Sequence, residues 1–347
     1  MSVGWGCEMG LASSATDGLL DRRGFLAAAA AASLAGCKRG PAPVRILYGD
    51  AAGSTSYGVL QIFARTLAKF GVSASVEVVS RGTGKLAAQM LAEGPRDGSL
   101  IGQLITGLIY AQIMGEKAVH PELAAYEWIG NYAADSRVLA VSAKAGVSDF
   151  RQLLSRAEPI TIPANSARAS IAYEAAVVRH ITGARIKVIP GFKGGARTLA
   201  VISGEVDGML GTLDAMTSVL DLPGSRILLR VSSASLPAGT PGVSPQGVPT
   251  LREMSRGRDA APLIQLMDAY SQLGRMMALP PGTPADIVAL WRQRFYDVIS
   301  DPEFRAQLAK LRVGIHYRSG PTVAAQLKAL TARQAEIAPA LARALDS

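Results

Sequence analysis

The sequence has few residues with reactive sulfur or imidazole side chains. It contains two cysteines, Cys7 and Cys37, both near the amino terminus, and three histidines, His120, His180 and His316. Neither cysteine has a thiol partner in the region expected to fold, which excludes structural disulfides and cysteine-zinc sites there. Because the histidines lie far apart without a metal-binding spacing, we expect no metal site and no histidine-based catalytic triad.

Aromatic residues and long apolar segments are also scarce. Aromatics make up 5% of the chain and the basic residues are scattered. The stacking platforms and basic arms of nucleic-acid-binding proteins are therefore missing. The longest apolar stretch, residues 25–36, is shorter than the about 18 residues that a membrane-spanning helix needs. The sequence predicts neither a nucleic-acid-binding protein nor a membrane-spanning one.

The chain nevertheless has enough apolar material for a large core. Hydrophobic residues make up 49% and charged residues 18% of its 347 positions, which predicts one or two globular domains. The formal net charge is +9. An excess of this size suits small organic anions or a charged membrane surface as partners.

The amino-terminal segment has the features of an export signal. Residues 21–26, Asp-Arg-Arg-Gly-Phe-Leu, are followed by an alanine-rich apolar stretch through Leu34. This order is typical of a secretory signal peptide, with an ordinary buried helix as the alternative. The paired arginines resemble a twin-arginine (Tat) signal, although Asp21 replaces the usual hydroxyl residue and Ala27 the usual lysine.

Residues 34–37, Leu-Ala-Gly-Cys, resemble a bacterial lipobox. In such a motif the cysteine becomes the lipidated first residue of the mature chain, so Cys37 is the predicted lipidation site. We therefore predict an export signal over residues 1–36, a tether over residues 37–43 and a periplasmic location with a lipid anchor.

From residue 44 onward, short β-branched segments alternate with longer amphipathic ones, which is typical of α/β units on parallel sheets. Strands are predicted at residues 44–48, 72–79, 100–105, 126–132, 138–142, 160–163, 186–189, 206–210, 226–232 and 276–279. Helices are predicted at residues 57–70, 86–92, 170–181, 196–202, 284–299 and 303–311, with a long terminal helix from Pro321 that packs with its neighbours on the first lobe.

The two halves of this pattern repeat in the same order. Tyr57 and Tyr173 begin corresponding helices, and a Gly-x-x-Asp-Gly turn recurs at residues 94–98 and 204–208. The repeat predicts two similar lobes, with the common turns of α/β units as the alternative explanation. Lobe 1 is predicted to comprise residues 44–137 plus 233–347 and lobe 2 residues 138–232, with hinges near 138–141 and 229–232.

Four loops between a strand and a helix are rich in glycine, serine or threonine: residues 49–56, 81–85, 164–170 and 191–195. Helix amino termini and free backbone N–H groups favour anions there, whereas helix capping alone is the alternative for any one loop. Asp214, just past a strand of the second half, is a further candidate, with a helix N-cap as its alternative. The candidate ligand-binding residues are Gly53, Ser54, Thr55, Ser56, Gly82, Thr83, Asn165, Ser166, Arg168, Ser170, Lys193, Gly194, Gly195 and Asp214.

Motifs for nucleotides and catalysis are incomplete or missing. Gly82-x-Gly84-x-x-Ala87 follows a strand, but the acid that a dinucleotide site requires about 20 residues later is missing. Lys85 is not followed by serine or threonine, so a phosphate-binding P-loop fails as well. The sequence has no G-x-S-x-G elbow and no paired catalytic carboxylates. We expect no cofactor.

Several motifs together resemble one family. They are Gly-Ser-Thr at residues 53–55, Pro-Arg-Asp-Gly at 95–98, Gly-Phe-Lys-Gly-Gly at 191–195, Gly-Glu-Val-Asp-Gly at 204–208 and Pro-Pro-Gly-Thr-Pro at 280–284. In this order, over residues 44–338, they resemble the tripartite tricarboxylate transporter receptors, the Bug family. The chain departs from that family where Ala51-Ala52-Gly53 replaces Pro-Gly-Gly and where Ser56 replaces an acid.

The resemblance implies a two-lobed α/β periplasmic-binding-protein fold, type II-like, with sheets joined by crossover strands. It also implies that the lobes close on a small carboxylate held by loop backbone amides and water. We therefore expect a monomeric, lipid-anchored receptor that delivers an organic anion to membrane permease subunits. The alternatives are a sensory receptor without transport and an envelope enzyme with Asp214 as general base near Arg168 or Lys193.

Overall fold

The chain, seen in a computed structural model, is described over residues 43–116, 121–134, 136–256 and 260–347. The predicted export signal, Cys37 and His120 lie outside the described residues, and of Thr83 only the backbone is described. Within the described ranges, no helix is both long enough and apolar enough to cross a bilayer.

The larger sheet has six strands in the order β11-β4-β10-β3-β1-β2. Strands β1, β2 and β3 run parallel, while β10 lies antiparallel between β3 and β4. Successive side chains point to opposite faces, so Ile46 and Tyr48 enter one apolar core and Leu47 enters another. The strands are β1 Val44–Tyr48, β2 Ala74–Val78, β3 Leu100–Leu104, β4 Glu127–Asn131, β10 Met276–Leu279 and β11 Arg318–Ser319.

Two smaller sheets form the other half of the fold. Strand β5 lies between β8 and β9 in an antiparallel sheet, and β6 pairs with β7 in parallel. Asp207 joins the two sheets, because its Oδ2 accepts hydrogen bonds from Thr161 N and Thr161 Oγ1, each at 2.7 Å. The strands are β5 Arg137–Val141, β6 Ile160–Ala164, β7 Ile186–Pro190, β8 Gly208–Thr212 and β9 Arg226–Arg230.

Helices follow the parallel strands and cover the sheets. Ser54, Asp149, Asp301 and Ser319 each accept a backbone N–H at the first turn of a helix, which fixes where that helix begins. The helices are Thr55–Lys69, Lys85–Ala92, Gly107–Ile113, Phe150–Ser155, Ser170–Thr182, Ala196–Ser203, Thr217–Leu220, Ala260–Gln272, Ala285–Ser300, Pro302–Lys310, Gly320–Ala332 and Gln334–Asp346.

The sequence therefore predicted the α/β class correctly, but the carboxyl-terminal prediction was wrong in one respect. The terminal helix is two helices that meet at Arg333 rather than one long helix. The first of them packs on β4 of the six-stranded sheet, and the second, Gln334–Asp346, packs against helices Ser170–Thr182 and Ala260–Gln272. Sheet membership changes between β4 and β5, while the lobe boundaries themselves stay predictions.

Candidate functional site

The loops that follow β1 and β7 come from different sheets and face each other. A Cβ atom built on Gly194 would lie 3.6 Å from the Cβ of Ala51 and 3.6 Å from the carbonyl oxygen of Ala52. Gly194 has a φ of 52°, a left-handed conformation that favours glycine. Two of the four predicted loops are thus brought together across one cleft.

A cavity of about 530 Å³ lies between the loop after β1, the segment after β8 and the residues 310–312 that end helix Pro302–Lys310. Gly53, Ser54 and Thr55 line it from the loop after β1, and Asp214 lines it from the segment after β8. Residues of both sheets therefore share one concave surface, the arrangement in which small-molecule sites are usually found.

Ser54 caps a helix, which is the role that the sequence analysis gave as the alternative to anion binding in these loops. Its Oγ accepts a hydrogen bond from the backbone N–H of Tyr57 at 3.2 Å and lies 2.8 Å from the hydroxyl of Tyr48. Burial, and then the negative charge of Asp50, raise the pKa of Tyr48 to about 12, so the phenol stays protonated. Ser56 also hydrogen-bonds this phenol and acts in the opposite direction on its pKa.

The loop after β2 packs against the loop after β1 through two glycines. Residues Arg81–Gly84 form a short 3-10 helix in which Gly82 and Gly84 have φ values of 67° and 84°. A Cβ on Gly49 would lie 2.8 Å from the Cα of Gly84, so the backbones approach as closely as only glycine permits. Gly82 and Thr83 therefore belong to a loop that supports the loop holding Gly53.

The loop after β6 carries a polar atom without a partner. The side-chain oxygen of Asn165 is buried and accepts no hydrogen bond from the described part of the chain. Ser166 accepts a backbone hydrogen bond from Ala169 at 3.2 Å, which closes the turn before the next helix. Ser170 hydrogen-bonds Tyr270, whose pKa burial raises to about 12, and Arg168 is exposed.

The structure changes the argument for Gly195. This residue has a φ of −64°, which any residue adopts, and a Cβ there would meet nothing within 4 Å. The backbone therefore does not require glycine at position 195, whereas Gly194 has the left-handed conformation, and the close approach of a ligand to Gly195 stays a prediction. Lys193, its neighbour in the loop, is exposed.

Asp214 forms an ion pair with Arg275 that joins the two halves of the fold. The two side chains are almost fully buried, with 9% and 6% of their surfaces exposed. The expected N-cap is wrong, since Thr212 precedes this short helix and Asp214 lies in its first turn. In the described structure, Asp214 pairs with Arg275 rather than with Arg168 or Lys193.

Arg197 is a further candidate residue that the sequence analysis did not identify. It lies in the first turn of helix Ala196–Ser203, directly after the loop 191–195. Its Nε is buried and donates no hydrogen bond to any described residue. Burial lowers the pKa of Arg197, and the negative charge of Asp50, from the facing loop, acts in the opposite direction.

A signal for Arg197 was present in the sequence. The amino-terminal end of a helix carries a partial positive charge, so a cation in the first turn is unfavourable unless an anion offsets it. A basic residue directly after a predicted anion-binding loop therefore indicated a binding role, but only the structure shows that its Nε is buried.

A buried ion pair and three tyrosines lie near Arg197. Arg137 Nε and Glu174 Oε2 are 2.7 Å apart, and a second contact of 2.6 Å joins Arg137 Nη2 to Glu174 Oε1. The Arg137 guanidinium also lies 4.9 Å from the ring centre of Tyr270. The Tyr110 ring stacks on Tyr173 at 5.0 Å and contacts Tyr270 at 4.8 Å. This cluster holds the helices of both halves at the base of the crossover from β4 to β5.

Comparison with solved structures gives the same fold. The periplasmic binding protein BugD matches with a TM-score of 0.69 at 17% identity, over 87% of this chain and 99% of BugD. An R. palustris protein with adipate matches with a TM-score of 0.67 at 17% identity, over 86% and 97% of the two chains. MatC from Rhodopseudomonas palustris, with bound malate, matches with a TM-score of 0.64 at 18% identity, over 85% and 98%.

No family model matches the sequence, and no curated protein matches it. At these identities the likeness establishes the fold alone. The chain has the two-lobed α/β fold of the periplasmic solute-binding proteins, and a TctC solute binding protein from Polaromonas is among its structural neighbours.

Proposed function

We propose that this chain is an exported receptor that binds a small organic carboxylate in the cleft between its two lobes. The observation that carries the proposal is Arg197, a largely buried cation whose Nε has no partner among the described residues. A buried guanidinium without an anion is unfavourable, and a ligand carboxylate would supply that anion with two parallel hydrogen bonds. Two structural neighbours, one with adipate and one with bound malate, support this class of ligand.

Residues from both lobes would contact the ligand. Gly53 and Thr55 line the cavity from one side, while Asn165, Gly194 and Gly195 belong to loops of the other half. Binding to both lobes favours a closed form and excludes water, which strengthens the electrostatic contacts of a charged ligand. The hinges predicted near residues 138–141 and 229–232 belong to this proposal.

The proposal includes delivery of the ligand to a tripartite tricarboxylate-type permease, by a monomer anchored to the membrane. The enzyme alternative assigns a general base to Asp214, but that carboxylate is held by the Arg275 guanidinium. A sensory receptor would use the same cleft, so a permease gene next to this gene would favour transport.

The binding role predicts that protein purified under native conditions carries a small carboxylate, detected by native mass spectrometry as an added mass that is lost on denaturation. The Gly195→Val variant, purified in parallel, should lack the added mass, because its side chain would occupy space left open for the ligand. A Cβ there meets no protein atom within 4 Å. The free energy of unfolding of the ligand-free variant should therefore lie within about 1 kcal/mol of that of the wild type. If both proteins carried the same amount of carboxylate, the loop 191–195 would not be part of the binding site.

The lipid anchor predicts a separate result. Replacing Cys37 by serine should move the protein from the membrane pellet into the soluble periplasmic fraction, because acyl chains contribute about 0.8 kcal/mol per buried methylene to membrane binding. Fractionation followed by intact-mass measurement checks this. Unchanged pelleting together with an unchanged mass would contradict lipidation.

A further inference from the structure

Two arginines have a backbone conformation that arginine rarely adopts. Among the described residues other than glycine, only Arg275 and Arg312 have a positive φ, of 55° and 56°. A residue with a Cβ atom is disfavoured in this region, so its presence there calls for a compensating interaction. Both arginines form an ion pair with the other half of the fold, and that pair is the interaction they share.

Arg312 ends helix Pro302–Lys310 at the position that glycine usually takes. Its backbone N–H donates to the carbonyl oxygen of Ala309 at 2.9 Å, and the N–H of Val313 donates to that of Leu308 at 3.0 Å. This pattern is typical of a helix end with one left-handed residue, which glycine adopts without strain. The backbone therefore gains nothing from arginine here, and the reason for it lies in its side chain.

The Arg312 side chain reaches a segment of the other half. Its Nη1 lies 2.9 Å from Oδ1 of Asp221, and the two side chains are 51% and 50% exposed. Arg275 pairs with Asp214 in the same segment, residues 213–221, which follows β8. Asp214, Asp221 and Arg312 all line the cavity of about 530 Å³. One buried and one exposed ion pair thus join the two halves along this cavity.

The two partners of the exposed pair are fixed in separate apolar cores. Phe304 of helix Pro302–Lys310 is buried in a core of the six-stranded sheet. Leu220, directly before Asp221, is buried in the core of the three-stranded sheet. Because each partner is held by its own half, a separation of the halves breaks the pair.

We propose that Arg275 and Arg312 latch the two halves of the fold together, with the buried Asp214–Arg275 pair as the fixed point and the exposed Asp221–Arg312 pair as the point that opens. The inference concerns how the halves are held, so it goes beyond the proposed binding role and its test needs no ligand. An exposed ion pair contributes little and is screened by salt, whereas a buried pair is screened much less. The outer pair therefore opens and closes while the inner pair stays formed.

The test measures the distance between the halves with two spin labels. Cys7 and Cys37 are replaced by serine, and the labels are attached at Arg65→Cys in one half and Leu199→Cys in the other, both exposed positions. Electron–electron double resonance then gives the ratio of open to closed molecules, where the closed form has the arrangement described above.

Two variants remove the outer pair from either side. Arg312→Gly and Asp221→Asn should each raise the ratio of open to closed molecules by about two- to fivefold, the range expected for an exposed pair. The double variant should raise it no further, because both changes remove the same interaction. Arg312→Gly should also leave the thermal midpoint unchanged or raise it, since glycine suits this helix end, whereas a residue that only ends the helix would not change the ratio.

The control breaks an ion pair within one half. Arg45 and Glu77 lie 2.7 Å apart on neighbouring strands of the six-stranded sheet, and their side chains are 49% and 40% exposed. Arg45→Gln should therefore leave the ratio at its wild-type value. Raising the salt concentration to about 1 M, where the screening length is about 3 Å, should bring the wild type to the ratio of Arg312→Gly and leave that variant nearly unchanged.

Several results would overturn the latch. Unchanged ratios in Arg312→Gly and Asp221→Asn would show that the outer pair does not hold the halves. An increase in Arg312→Gly alone would assign the effect to the helix end, and an equal increase in Arg45→Gln would assign it to charge in general. If salt opened the wild type further than Arg312→Gly does, the inner pair would not be the fixed point. Carboxylate binding is tested separately by native mass spectrometry, so the receptor function does not depend on these results.

Discussion

Replacing Glu174 by alanine should lower the free energy of unfolding by about 3–5 kcal/mol. The Glu174 side chain is fully buried and that of Arg137 is 6% exposed, so the variant leaves a guanidinium inside the protein without its carboxylate. Returning such a charge to water requires opening the cluster formed with Tyr110, Tyr173 and Tyr270, which holds both halves of the fold. Urea unfolding followed by circular dichroism measures the loss.

The control removes both charges instead of one. The double variant Arg137→Met, Glu174→Leu replaces the ion pair by apolar side chains of similar length, and a buried pair replaced in this way often costs little or nothing. We therefore expect the double variant to regain most of the stability that Glu174→Ala loses. A loss below about 1 kcal/mol in the single variant would show that water reaches Arg137 and that the pair is not part of the core.

The strands could be predicted because their signals are local. A short run of β-branched and apolar residues between glycine- or proline-rich turns predicts a strand, and β1 and β10 lie at the predicted residues. Strand β8 begins two residues later than predicted, because Val206 and Asp207 belong to the turn. That turn is held by Thr161, a partner on another strand, which no local pattern indicates.

The differences between the predicted and the observed helices also have physical causes. Helix Ala260–Gln272 contains Pro262, a residue that usually indicates a loop, but it lies in the first turn, where no backbone N–H is needed. The break at Arg333 has neither glycine nor proline, and Pro339 lies inside the helix that follows. The proline, which usually indicates the end of a helix, therefore lies where the chain stays helical, and the actual break has no local signal in the sequence.

The site could be predicted at the level of loops but not of contacts. Helix capping by Ser54 and the glycine-rich turns follow from local chemistry. The pairing of Asp214 with Arg275, and the burial of the Arg197 Nε, depend on residues that are far apart in the sequence. Only the packing of one half of the fold on the other determines which charges find partners.

Replacing Phe63 by alanine should destabilise the protein by about 3–5 kcal/mol, an effect as large as that of Glu174→Ala. Phe63 lies on helix Thr55–Lys69, is fully buried, and its ring contacts those of Tyr132, Phe295 and Phe304 at centroid distances of 6.5, 5.8 and 6.2 Å. The smaller side chain leaves a cavity between three elements that cannot all move inward at once, so the lost contacts are not regained.

The same helix supplies the control, because Phe70 at its carboxyl end is 41% exposed. Phe70→Ala removes the same atoms from a surface position and should change the stability by no more than about 0.5 kcal/mol. Urea unfolding of both variants measures the difference directly. Since Phe63 lies two turns beyond the loop that lines the cleft, Phe63→Ala protein that remains folded should bind ligand with nearly wild-type affinity. A similar loss of stability in both variants would contradict a core centred on Phe63, because burial would then not distinguish the two positions.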